Sequence, residues 1–234
     1  RGRSNFAGSV PNRIFNINKA LAENVSNVLI PPGGTFDFNG TLGGPVVESK
    51  GWKLSLGIFG NGAELAPTPG GGICQASTTT FRAMAAAGLP IEERSNHSMY
   101  VNYYREYGEG LDAAIFPGSK NLVAKNDTPG YLFFHGYTKG NDAYVDIYGT
   151  PDGRTVTLEG PFRKHDAPED IKLPDGRRPW PSEIVWRQRI ERPEGITEEN
   201  TFRSYYMTEI PYNAPERAAE VTVILSDESA PATI

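Results

Sequence analysis

Apolar positions recur at spacings of three and four between Asn12 and Asn24, where Ile14, Ile17 and Leu21 make one stripe. That is the period of an amphipathic helix, and Pro11 at its entrance suits a first turn whose N–H groups have no partner. A short apolar stretch, Val28 to Ile30, follows and is stopped by Pro31-Pro32-Gly33-Gly34. Phe36 and Phe38 then alternate with polar neighbours, the period of a half-buried strand. Gly43 to Leu65 is punctuated by glycine and reads as irregular, and Pro67 to Gly72 reads as a tight loop. A second helix is expected over Ser77–Ala87, ended by Gly88 at the cap position and by Pro90.

Beyond it the pattern turns to strands. Leu89 to Glu93, Asp112 to Phe116 and Leu122 to Lys125 read as short ones, and the tyrosines at 100, 103, 104 and 107 form an aromatic run between them. Tyr131 to Tyr137 and Ala143 to Tyr148 flank Lys139-Gly140-Asn141-Asp142, a hairpin signature. Pro161 to Pro181 is charged and proline-rich, and strands are expected again at Glu183–Ile190, Thr201–Ile210 and Glu220–Leu225. The expected fold is α+β, with two main helices packed on an antiparallel or mixed β-sheet and a β-rich C-terminal extension. The expected organisation is a flexible leader over residues 1–10 and a main domain over 11–160. A linker or long loop over 161–182 and a small β-rich extension over 183–234 follow.

Composition narrows the function. Of 234 residues, 38% are hydrophobic and 22% charged, enough for a real core, and 26 glycines with 19 prolines favour short strands and loops over a bundle. A net charge of −5 without a basic run speaks against nucleic-acid binding. No apolar run reaches the length of a membrane span, so no transmembrane segment is expected in this chain. The single cysteine excludes an internal disulfide and any zinc site of several thiolates.

That cysteine carries the candidate chemistry. Gly70-Gly71-Gly72-Ile73-Cys74-Gln75 leads directly into helix-forming sequence. A helix start presents free N–H groups and the positive end of the dipole, which stabilise a thiolate and lower its pKa. The same N–H groups can hold an oxyanion, with Gln75 as an added donor. His97 is the nearest base and Asp112 the nearest carboxylate at the start of a following strand, so Cys74, His97 and Asp112 form the candidate catalytic set. Gly71, Gly72, Gln75 and Ser98 are the candidate substrate-binding residues. The bland alternatives are a cysteine that fills a small buried space, a surface histidine and a solvated aspartate. His135 reads as a strand residue, His165 as solvated, and the tyrosine run as core packing or a platform for a sugar face. No cofactor is expected. A metal site built from Cys74, His97 and Asp112 ranks last, because their spacing matches no standard metal motif.

Gly70-Gly71-Gly72-Ile73-Cys74-Gln75-Ala76-Ser77-Thr78-Thr79 resembles the signature of the VanW-like family, named after a protein encoded in some vancomycin-resistance clusters. Ordered matches support the likeness: Pro32-Gly33-Gly34-Thr35-Phe36-Asp37-Phe38-Asn39, Ala87 to Arg94 with His97-Ser98, Gly110-Leu111-Asp112-Ala113, and Lys125-Asn126-Asp127-Thr128. The likeness runs from about Ile14 to Gly149. It departs from the pattern over Gly51 to Pro69 and at Leu111, where the family usually has arginine. The resemblance implies an exported bacterial protein, extracellular or at the cell wall, with any membrane anchor lying outside this chain, and it names no settled activity. Cysteine at a helix start is also similar to papain-like and transglutaminase-like enzymes, an analogy at the level of arrangement only. Two functions follow. One is a cysteine-dependent amidase, peptidase or transpeptidase acting on peptidoglycan stem peptides. The other is a non-catalytic peptidoglycan-binding or scaffold domain whose glycine loop grips a ligand through backbone N–H groups.

Overall fold

The computed structural model describes residues 1–59, 64–193, 195–207, 210 and 221–223. The fold is α+β, and the paired strands are antiparallel throughout. Strand β1 (Gly2–Asn5) precedes helix α1 (Pro11–Lys19), which continues as a π-helical stretch to Val25 and buries Ile17, Ala20, Leu21 and Val25. Strands β2 (Val28–Ile30) and β3 (Thr35–Asp37) follow. Phe38 is not part of the strand its alternation suggested. It opens the short helix α2 (Phe38–Thr41), because the Asp37 carboxylate accepts the Gly40 N–H at 2.9 Å and turns the chain.

The segment read as irregular holds a hairpin, β4 (Leu54–Phe59) with β5 (Glu64–Pro69). Pro67 and Pro69 lie inside β5, which is tolerated because this two-stranded ribbon leaves an edge without a ladder to complete. Helix α3 (Ile73–Ala86) starts four residues earlier than Ser77 and is buried along most of its length. It ends as expected: Gly88 has φ +66°, its N–H donates to Ala85 O, and the Leu89 N–H donates to Met84 O at 3.1 Å, a Schellman closure.

Strands β6 (Ile91–Arg94), β7 (Leu122–Lys125), β8 (Leu132–Lys139) and β9 (Asp142–Gly149) come next. The β8–β9 hairpin closes on Lys139 opposite Asp142, with Gly140 at φ +62°. After them lie β10 (Thr155–Phe162), β11 (Glu183–Glu191), β12 (Thr197–Tyr205) and β13 (Val221–Val223). The sheets are ordered β1-β9-β8-β2, β12-β11-β10-β13 and β3-β7-β6, beside the β4–β5 ribbon. Of the strand expected over Glu220–Leu225, the ends lie outside the described residues.

Two regions depart from the expected organisation. The first ten residues, read as a flexible leader, contain β1, which pairs with β9 and buries Gly2 and Ser4. Glycine is required there, since a Cβ on residue 2 would lie 2.0 Å from Thr79 O and 2.6 Å from Ala83 N. The stretch read as a linker buries Ala167, Ile171 and Leu173 with Phe162 and Val185 as a small cluster of its own. Strand β10, which the composition shift had hidden, joins β11, and Leu158, Ile184, Trp186, Phe202 and Tyr206 share one core with Phe81 and Met84 of α3.

Asp112 to Phe116 is not a strand either. Only isolated bridges form there, Ser95 with Ala114 and Phe116 with Lys120. Side chains take the place of a ladder. The carbonyls of Gly110, Leu111, Asp112 and Ala113 accept from Arg94 and Ser204, Arg82, Arg94, and Ser77 with Thr78, respectively. The segment is thereby laid along the hydroxyl-bearing face of α3, directly over its first turn.

Candidate functional site

Cys74 is the second residue of α3 and lies half-buried at the helix start. The glycines before it are needed for close approach. A Cβ on Gly71 would sit 2.4 Å from Ser55 O, and Gly72 has φ +114° with the Arg13 side chain 3.0 Å from where its Cβ would be. Gly71 therefore meets the β4 strand, and only Gly72 of the two faces the cleft described below. The N–H groups of Ile73 and Gln75 donate to Gly70 O and Gly72 O, while the Cys74 N–H has no acceptor among the described residues.

The bridge of Ser95 to Ala114 aligns the chain after β6 with the segment after Gly110, which brings His97 beside Asp112. Asp112 Oδ2 lies 2.6 Å from His97 Nδ1 and accepts the His97 backbone N–H at 2.8 Å. Asp112 Oδ1 accepts the Tyr206 hydroxyl at 2.8 Å, and the Arg94 guanidinium stands 3.8 Å away. With Nδ1 taken, Nε2 is the imidazole nitrogen left open; the Cys74 thiol donates to Ile115 O at 3.6 Å and lines the same cleft as His97, near enough for each to shift the other's pKa. His97 and Asp112 are thus in direct contact, and Cys74 lines the same cleft as His97. Asp112 stands behind the imidazole, so the three do not converge on one point, and no group of three potential ligands among the described residues suits a metal ion.

The electrostatics follow from these contacts. Burial raises the Cys74 thiol pKa, but the neighbouring His97, the hydrogen bond to Ile115 O and the charge of Arg13 outweigh it, and the net shift is downward. Burial lowers the His97 pKa, and the Asp112 hydrogen bond and charge, with the nearby Cys74, reverse this, holding the imidazole up at about 9. Burial raises the Asp112 pKa, and His97 and Arg94 bring it below the usual carboxylate range. Both shifts run in the direction of a thiolate beside an imidazolium.

Linkage gives a stability test. The folded pKa of His97 lies above its ordinary 6.5, so its stabilising charge is fully present below about 6.5 and lost as pH rises through about 9. Asp112 has the opposite sense: its contribution is present above 3.8 and lost as pH falls through its depressed value. The difference in unfolding free energy between the parent and His97→Asn should therefore shrink from pH 6.5 to pH 9 in urea titrations. A difference that stays flat or grows over that interval contradicts the charged imidazole.

A cleft of about 740 Å³ opens over these residues and includes Cys74, His97, Ser98, Tyr100, Tyr103 and Phe116 in its lining. Cys74 is therefore not sealed in the core, and Ser98 is part of the same lining. Gln75 is not. Its amide is fully buried and turned to β1, donating to Asn5 O at 2.9 Å and Ser4 Oγ at 3.2 Å while its oxygen accepts from Arg13. It braces the N-terminal strand. Sequence reasoning missed Arg13, Arg94 and Tyr206, whose relation to the site is made only by long-range packing.

A family model described as VanW-like protein matches residues 12–148, more than half of the chain. The chain belongs to the VanW-like family. It is similar to the uncharacterized protein YoaR of Bacillus subtilis (strain 168), with 32% identity over 145 residues that are 62% of this chain and 46% of that protein. The chain thus spans less than half the length of that relative. No solved structure matches it. The VanW-like segment supplies Arg13, Cys74, His97 and Asp112, whereas Tyr206, which holds Asp112, comes from beyond it. No helix among the described residues is long and apolar enough to cross a membrane.

Proposed function

We propose that the chain is a cysteine-dependent acyl-transfer enzyme of the bacterial cell envelope, acting as amidase, peptidase or transpeptidase on peptidoglycan stem peptides. What supports the chemistry is that Cys74 and His97 both line an open cleft and that the buried Asp112 stands 2.6 Å from His97 Nδ1. Family membership supports the envelope as the setting.

The steps follow from the positions. The Cys74 thiolate adds to an amide carbonyl, and the oxyanion that forms lies over the free Cys74 N–H and the helix dipole. The imidazolium of His97 gives its Nε2 proton to the leaving amine as the C–N bond breaks, which leaves a thioester on Cys74. Water or a second amine then attacks, His97 accepts its proton, and the thiolate departs. Asp112 keeps the imidazole in the tautomer and orientation that both transfers need.

Gln75 favours the second reading, a binding module without turnover, because its committed amide removes one of the two expected oxyanion donors. Purified muropeptides separate the two readings. Incubation should yield cleaved or cross-linked products by liquid chromatography and mass spectrometry, with a Cys74-linked acyl adduct in the intact mass, and Cys74→Ala should yield neither. Product formation that survives Cys74→Ala, or tight muropeptide binding with neither product nor adduct, overturns the enzyme reading.

A further inference from the structure

We propose that the cleft contains a carboxylate subsite built on Arg13, so that the peptide it takes carries a free carboxylate close to the scissile bond; this rests on the acyl-transfer reading and narrows its substrate. The chain as a whole is acidic, with a net charge of −5. The charged residues that line the cleft are nevertheless Arg13, Lys120 and His97, and no aspartate or glutamate is among them. Among the described arginines, Arg13, Arg82 and Arg178 make no ion pair with a carboxylate. Arg82 and Arg178 direct their guanidinium groups at backbone carbonyls.

Arg13 is different. One of its terminal nitrogens donates to Gln75 Oε1 at 2.9 Å and to Tyr103 Oη at 3.0 Å, and its guanidinium lies 5.4 Å from the centre of the Tyr103 ring. Those contacts fix the plane of the fork at the cleft wall, close enough to Cys74 for its charge to favour the thiolate. Its other terminal N–H groups make no hydrogen bond among the described residues, and a planar fork with open donors is suited to an anionic oxygen pair. Lys120 adds a second positive charge along the same cleft. An acidic residue there would have neutralised this field; apolar and aromatic walls leave it undiminished.

Binding to the Cys74→Ala protein tests the subsite without turnover. The probes are a stem tetrapeptide with free carboxylates, the same peptide amidated at its C-terminus, and the same peptide amidated at its side-chain carboxylate. Calorimetry should show that one of the two amidations weakens binding by roughly tenfold or more, the usual loss of a hydrogen-bonded charge. Which amidation does so identifies the carboxylate. Adding Arg13→Gln should erase the difference between the peptides, and Arg13→Lys should keep part of it, which separates charge recognition from lost folding. Equal binding of all three peptides, or discrimination that persists with Arg13→Gln, overturns the subsite while leaving the acyl-transfer reading in place. No binding of any of the three sinks both.

Discussion

At pH 6, iodoacetamide should alkylate Cys74 on the order of tenfold or more faster than a model thiol, and His97→Ala should remove that advantage. An ordinary thiol is almost wholly protonated at this pH, with a pKa of about 8.5. Cys74 differs because the imidazolium held by Asp112, the helix start and the Arg13 charge all favour its anion against the cost of burial. The lowered pKa also makes the thiolate a weaker nucleophile, which is why the expected gain is smaller than the gain in thiolate fraction alone. Asp112→Asn should give an intermediate rate, since the amide can still orient the ring without stabilising its charge. Tyr206→Phe should slow alkylation less than either, because it removes one of several hydrogen bonds to the carboxylate. An equal rate for the parent and His97→Ala would mean that the pairing has no chemical consequence.

The second large effect is structural. Arg82→Met should lower the stability of the chain by roughly 2–4 kcal/mol, a large share of the 5–15 kcal/mol typical of a folded protein. Arg82 is 4% exposed in the middle of α3, and its guanidinium donates to the carbonyls of Arg3, Tyr104, Gly108 and Leu111 at 2.7–3.0 Å. Burial lowers its pKa to about 10, and no carboxylate among the described residues is within salt-bridge distance. Methionine would fill much of the volume and remove the guanidinium's hydrogen bonds to those carbonyls, of which Gly108 O keeps the Leu111 N–H. The melting temperature should fall by about 5–15 °C. Because the loop from Tyr104 to Leu111 delivers Asp112, Cys74 alkylation at pH 6 should slow as well. A melting temperature within about 2 °C of the parent would show that the loop holds itself.

The local part of this arrangement was legible in the chain. Glycines before Cys74 and helix formers after it placed the sulfur on a helix start, Gly88 with Pro90 marked the other end, and Gly140-Asn141 marked the hairpin turn. Those features depend on residues within a few positions of one another. His97 and Asp112 were reachable as candidates by residue type, though their contact depends on the Ser95–Ala114 bridge, which spacing does not reveal.

What stayed hidden depends on distant partners. Arg13 meets Gln75 across 62 positions and Tyr206 meets Asp112 across 94. Gln75 reads as an oxyanion donor until β1 is laid beside it, and β1 itself reads as leader because small polar residues lack a hydrophobic period. Gly2 is there for contact with the Thr79 carbonyl and not for flexibility. Segment 112–116 has strand-like composition, but Arg82, Arg94, Ser77 and Thr78 claim the carbonyls a ladder would use. The prolines of 161–181 suggested an open linker, yet Ile171 and Leu173 give it a core with Phe162 and Val185.

The central claim is that Cys74 exists as a thiolate because a charged His97 stands beside it. Thiolate absorbance at 240 nm, followed across pH as the difference between the parent and Cys74→Ala, reads that state directly. Titration below the ordinary thiol range, restored to that range by His97→Ala, is the result this structure predicts. A single transition at the ordinary thiol value or above it, unchanged by His97→Ala, would contradict it.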